Sequence, residues 1–142
     1  MASGSANLIA FQTALDQRDI VYSELENAKV PAVRIGYNME NIEHLDVFFW
    51  FDPDGETMHF GSGVIAHVPP NKTEAALTAI NEANILYRWL TFFLDKDNDI
   101  IASGDAILSP NVVGDTCFEL LNRTLGICDE AYTNFMKAIW AS

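Results

Sequence analysis

Three histidines, His44, His59 and His67, are the first side chains to weigh for chemistry, because imidazole titrates nearest neutrality and is the commonest metal ligand. None of them has a second histidine four residues on, or the adjacent glutamate of a zinc-hydrolase helix. His59 and His67 could share a sheet face with nearby carboxylates, and they define the one ligand-binding or enzymatic alternative that the chain offers. Asp95, Asp97 and Asp99 begin like a calcium loop, but its sixth position holds Ile100 instead of glycine and its twelfth holds Ala106 instead of a bidentate glutamate. Asp52, Asp54 and Glu56 fail the same test, with Gly63 at the twelfth place. Both acidic runs read as solvated turns. Ser103 lacks a recognisable histidine partner. No nucleophile elbow, P-loop or dinucleotide fingerprint occurs, and Gly61-Ser-Gly63 is too short to cradle phosphate. The expectation is therefore no catalytic residue, no metal and no cofactor.

The two cysteines, Cys117 and Cys128, fall in one apolar helical stripe. On a single helix they stand about 16 Å apart along its axis, too far for a disulfide, and they read as buried reduced thiols. The 142 residues suggest one domain spanning 1–142, with residues 1–5 expected to be flexible, and a hydrophobic content of 49% supplies a core without disulfide staples. The net charge of −12 opposes nucleic acid and anionic lipid, which are gripped through Lys and Arg. No apolar run approaches the roughly 20 residues of a membrane span, and no secretory signal opens the chain. These features point to a cytoplasmic protein whose charge-steered partners are basic.

The elements that must position these groups follow from periodicity. Residues 5–16 carry a helical stripe of Leu8, Ile9, Phe11, Ala14 and Leu15 that Ser5 can cap. Strand patterns follow at 20–26, 32–39, 45–51 and 56–68, with Asp52-Pro-Asp-Gly55 as a strong turn. A helix over 72–87 starts from an Asn71/Glu74 capping-box spacing, and Ser109-Pro110 opens a last helix that Gly126 could bend or split. Between these helices, 88–94 and 100–108 form a hairpin through the acidic turn 95–99. Strands in runs joined by short turns indicate an antiparallel α+β fold. The order is read as α-β-β-β-α-β-β-α, a five-stranded sheet packed with three helices, one strand fewer than the six patterns.

The strand at 88–94 is apolar on both faces, with Trp89, Thr91 and Phe93 on one and Leu90, Phe92 and Leu94 on the other. Phe48 and Trp50 similarly oppose Leu45, Val47, Phe49 and Phe51. Three helices cover one sheet face well, so the surplus of Phe48, Trp50, Trp89 and Phe93 marks a dimer or partner interface.

Ile80-Asn-Glu-Ala-Asn84, then Trp89 followed by Phe92-Phe-Leu-Asp95, then Asp97, Asp99-Ile100, Ala102 and Asp105 ahead of an apolar helix, resembles the YbjN-type family of bacterial sensory transduction regulators. The resemblance is best over 73–140, and its motif contains no catalytic residue. That family is similar in fold to the class I type III secretion chaperones, small acidic dimers that hold an extended client segment without ATP. The resemblance implies a homodimer in which the helix 72–87 and the strand 88–94 are dimer elements, which adds Tyr87 and Thr91 to Phe48, Trp50, Trp89 and Phe93 as expected interface residues. It also implies a protein client, although nothing in the sequence specifies a secretion client. The resulting expectation is a non-enzymatic, chaperone-like or regulatory protein-binding module.

Overall fold

The computed structural model describes residues 4–141, so part of the 1–5 stretch, residues 1–3, lies outside it. Gly4 and Ser5 already belong to the first helix, α1 (Gly4–Gln17), where Gly4 is buried against the backbone of Phe51 and Asp52. Helix α1 leads through a two-residue strand, β1 (Ser23–Glu24), into β2 (Ala32–Tyr37), β3 (Leu45–Phe51) and β4 (Thr57–Ser62). A kink at 63–65 separates β4 from β5 (Ala66–His67), so the single strand expected over 56–68 is two. A 3-10 turn then leads to α2 (Thr73–Leu86), the hairpin β6 (Thr91–Leu94) and β7 (Asp99–Ile107), a second 3-10 turn, and α3 (Val113–Trp140). The fold is α+β with a wholly antiparallel sheet; β1 realises only part of the 20–26 pattern, and the division of 56–68 turns the six strand patterns into seven strands where a five-stranded sheet was expected.

Strands β1 to β4 pair in chain order, and β4 and β5 share one side of β7 while β6 takes the other. The helices form one layer, with α3 between α1 and α2. Alternation along β3 sets the core: Leu45, Val47, Phe49 and Phe51 are all buried, and Phe11 of α1 meets the Phe49 ring edge-on at 4.7 Å. At the far end Phe135 of α3 meets Phe92 of β6 at 5.2 Å.

Neither long helix starts with the side-chain cap that its sequence suggested. A 3-10 turn headed by proline, Pro70–Lys72 before α2 and Pro110–Val112 before α3, takes over the entry in each case. Gly126 does not split α3, which runs unbroken over 28 residues. The acidic turns behave as their composition requires. Gly55 (φ 74°) and Asn98 (φ 64°) supply the left-handed residues.

Two polar side chains, buried Asp129 and half-buried Asn84, fix the layers. Asp129, in the middle of α3, accepts hydrogen bonds from the backbone N–H groups of Asn41 and Ile42, both at 2.9 Å, and pins the β2–β3 loop to the helix. Asn84 of α2 donates to the Phe92 carbonyl (3.0 Å) and accepts from the Phe92 N–H (2.8 Å). It thus stands where a neighbouring strand would pair and blocks the outer edge of β6.

Candidate functional site: the uncovered sheet face

The face of the sheet away from the helices is built by the other half of each alternation. Register sets its rows. Arg34, Phe48, Gly61, Ser103 and Thr91 lie side by side across five strands, and Trp50, His59 and Asp105 form the adjoining row. The Phe48 and Trp50 rings stack at 5.6 Å and 16°, and Trp50 stacks in turn on the His59 ring at 5.3 Å and 29°. Nδ1 of His59 lies 2.8 Å from a carboxylate oxygen of Asp105. Small residues, Gly61 and Ser103, floor the roughly 14 Å between Phe48 and Thr91, three strand spacings away. Beyond that floor Phe93 stands opposite Ile101. The face is thus an aromatic wall on β3, a shallow trough, and a second apolar ridge on β6 and β7.

Of the six residues expected at an interface, four share this face: Phe48, Trp50, Thr91 and Phe93. Trp89 does not join Thr91 and Phe93 as the strand pattern suggested. Strand β6 starts only at Thr91, and Trp89 carries φ 79°, a region that bulky residues seldom adopt. The reversal turns its ring to the helix layer, where the Arg123 guanidinium lies 4.9 Å from the ring centroid. Gly104 makes room for this turn, since a Cβ there would come within 2.6 Å of the Phe60 ring and 2.8 Å of the Trp89 carbonyl. Tyr87 also belongs to the helix layer. It ends α2 and meets Phe92 edge-on at 6.4 Å, and its pKa is raised by burial and by the Glu130 carboxylate to which it hydrogen-bonds.

The histidines do not converge. His59 pairs with Asp105, His67 with Asp99 at 2.7 Å, and His44 with Asp46 and Asn38 at 3.0 Å each. Asp99 and Asp105 are six residues apart on one strand, about 20 Å. A joint His59/His67 site with shared carboxylates therefore has no geometric basis. The acidic turns have their own occupation. Asp54 accepts from the N–H groups of Glu56 and Thr57, and those bonds, the Glu56 one foremost, hold its carboxyl below the usual range. Asp95 accepts in the same way from Asp97 and Asp99. Among the described residues no group of three or more His, Cys, Asp or Glu side chains is placed to hold a metal ion. Cys117 and Cys128 are buried free thiols on α3, and desolvation pushes both up to about 12.

Sequence reasoning gave no role to Asn84, Asp129 or Arg123. Asn84 stood in the family motif without a stated task, and the backbone groups that Asp129 binds are more than eighty residues away in sequence. Only the folded chain shows what these side chains touch.

The chain is a two-layer α+β domain with helices on one face and an exposed, partly aromatic sheet on the other. Residues 10–136 match the family model YbjN, described as "Putative bacterial sensory transduction regulator", and the chain belongs to that family. Its fold is similar to the crystal structure of YbjN from E. coli, described as a transcription regulator of that tentative kind, with TM-score 0.61 and 15% identity over 89% of this chain and 91% of the other. It is also similar to an uncharacterized protein from Methanothermobacter thermautotrophicus, with TM-score 0.52 and 16% identity over 91% and 99% of the two chains. At these identities the likeness is one of fold. The sequence matches no curated protein. No helix among the described residues is long and apolar enough to cross a membrane.

Proposed function

We propose that the chain is a non-enzymatic, regulatory or chaperone-like protein-binding module, and that it forms an acidic homodimer through the uncovered sheet face and the adjoining α2. The observation that carries this reading is the aromatic surface itself. Phe48 and Trp50 are only half-buried, Phe93 is 38% exposed, and Ile85 and Leu86 of α2 are 79% and 67% exposed. Apolar surface of this extent, on the sheet face without helices and at the end of α2, gains free energy when a protein covers it. The family's description as a regulator supports a role exercised through binding. The acidic balance favours a client with basic character over nucleic acid or membrane.

Sedimentation equilibrium at tens of micromolar tests the reading. A dimer that Phe93→Asp or Phe48→Asp dissociates, with an unchanged circular dichroism spectrum, is the expected result. A strict monomer, or a dimer indifferent to both substitutions, refutes it.

A further inference from the structure

Strand β7 is longer than the strand that covers its outer edge. Phe92 turns its backbone polar groups away from β7, to Asn84, so Thr91 and Phe93 are the residues bonded to Ser103 and Ile101. The same alternation turns the N–H and C=O groups of Asp105 and Ile107 to that side, where β6 has already ended. Leu108 confirms the parity, since its N–H points the other way, to the Glu56 carbonyl. Beside these open groups lies a hollow of about 560 Å³ between β7 and the first half of α3. Phe60, Ala106 and Leu120 supply its apolar lining, and Trp89 closes one end. Asp105, Asp115 and Glu119 stand on its rim with side chains 82%, 78% and 61% exposed; the Arg123 guanidinium is bonded to Glu119, Arg18 reaches Asp115 at 3.5 Å, and His59 lies against Asp105, so each rim carboxylate keeps most of its surface open to a further cation.

We propose that this edge is a strand-addition site for an extended peptide segment of a partner protein, apolar in alternate side chains and basic between them. Unpaired backbone groups on an edge select an extended chain over a helix or a small molecule. The hollow takes the side chain directed under the sheet edge, and the carboxylate rim takes its lysine or arginine neighbours. Charge selects a foreign segment over a second copy, because pairing β7 with itself sets two acidic rims together on chains of charge −12 each. The site goes beyond the homodimer reading and shares only Asp105 with the face proposed for it, since the open backbone groups of β7 and the hollow against α3 lie elsewhere, so either can fail alone.

The test uses the full chain and a short capped peptide alternating lysine with valine and a central phenylalanine, beside the same peptide N-methylated on alternate backbone nitrogens. The expected result is slowed amide exchange at Asp105 and Ile107, weaker binding by the N-methylated peptide, and about a fivefold loss of affinity on Glu119→Lys. Ile107→Pro, which removes one outward N–H and leaves the β4 ladder intact, weakens binding as well. Equal binding by both peptides, unchanged exchange at Asp105 and Ile107, spectral shifts centred on Phe48 and Trp50, or no binding at all overturns the proposal. Sedimentation of the same samples reports separately on the homodimer.

Discussion

Strand β3 presents two apolar surfaces of opposite fate. Its inward residues Leu45, Val47, Phe49 and Phe51 lose essentially all contact with water beneath α1 and α3. Its outward residues Phe48 and Trp50 are hydrophobic too, yet they have only each other, His59 and the neighbouring strands for shelter. Hydrophobicity therefore makes the strand, and the helices decide which half of it becomes core. On the inward side a ring from the helix layer, Phe11, meets Phe49 and Phe51 edge-on while Phe60 of β4 stacks on Phe49, whereas the outward rings lie flat on one another within the sheet, which hides area without a second layer.

The comparison breaks most readily at Phe49. Phe49→Ala leaves a void among Phe11, Phe60 and the rest of the core, and should cost about 3–5 kcal/mol in urea unfolding. A cost near that of an exposed substitution would mean the two faces are not distinct. Next comes Asn84, which closes the edge between them. Asn84→Ala orphans the Phe92 N–H and C=O and should cost about 1–3 kcal/mol. Amide exchange at Phe92 checks it, with faster exchange in the variant than in the parent.

The division between the faces was legible along β3, because alternation with period two sorts its side chains directly. It was misread at Trp89, where the same rule was carried two residues past the start of β6. Nothing local marks Trp89 as left-handed; the cause is Gly104, fifteen residues on, which leaves room for the Trp89 carbonyl. The kink that divides 56–68 did leave a trace in Gly61 and Gly63. The number of helices was legible from apolar stripes, but not how they begin, since both proline-headed entries use a 3-10 turn instead of a side-chain cap. The histidines illustrate the same limit. Their partners Asp105 and Asp99 are set by strand register, which a single sequence does not specify.

The thiols sharpen the covered side of the comparison. Burial raises both Cys117 and Cys128 to about 12 from an ordinary value near 9. Below pH 9 both folded and unfolded chains hold neutral thiols, and this contribution to stability is intact. As pH rises from 9 toward 12 the unfolded chain ionises first, so the contribution declines. At pH 8 the native protein should take up essentially no thiol reagent, and the urea-unfolded protein should react at both cysteines. Rapid labelling of native protein would place α3 less firmly on the sheet than the core packing requires.

The smallest effect is expected at Phe48, and its dependence on protein concentration is what makes it informative. In a dilute sample Phe48→Ala removes a half-exposed ring and its stack on Trp50, a loss of about 1 kcal/mol. Anything that binds the native state stabilises it by mass action, so a dimer formed through this face makes the parent more stable as concentration rises. The variant should gain less. Urea midpoints measured at low and high protein concentration should then diverge between parent and Phe48→Ala, while Phe49→Ala keeps its large penalty at both. Parallel midpoints for parent and Phe48→Ala would mean that the aromatic wall on β3 takes no part in self-association, and that its flat stacking is all the shelter it needs.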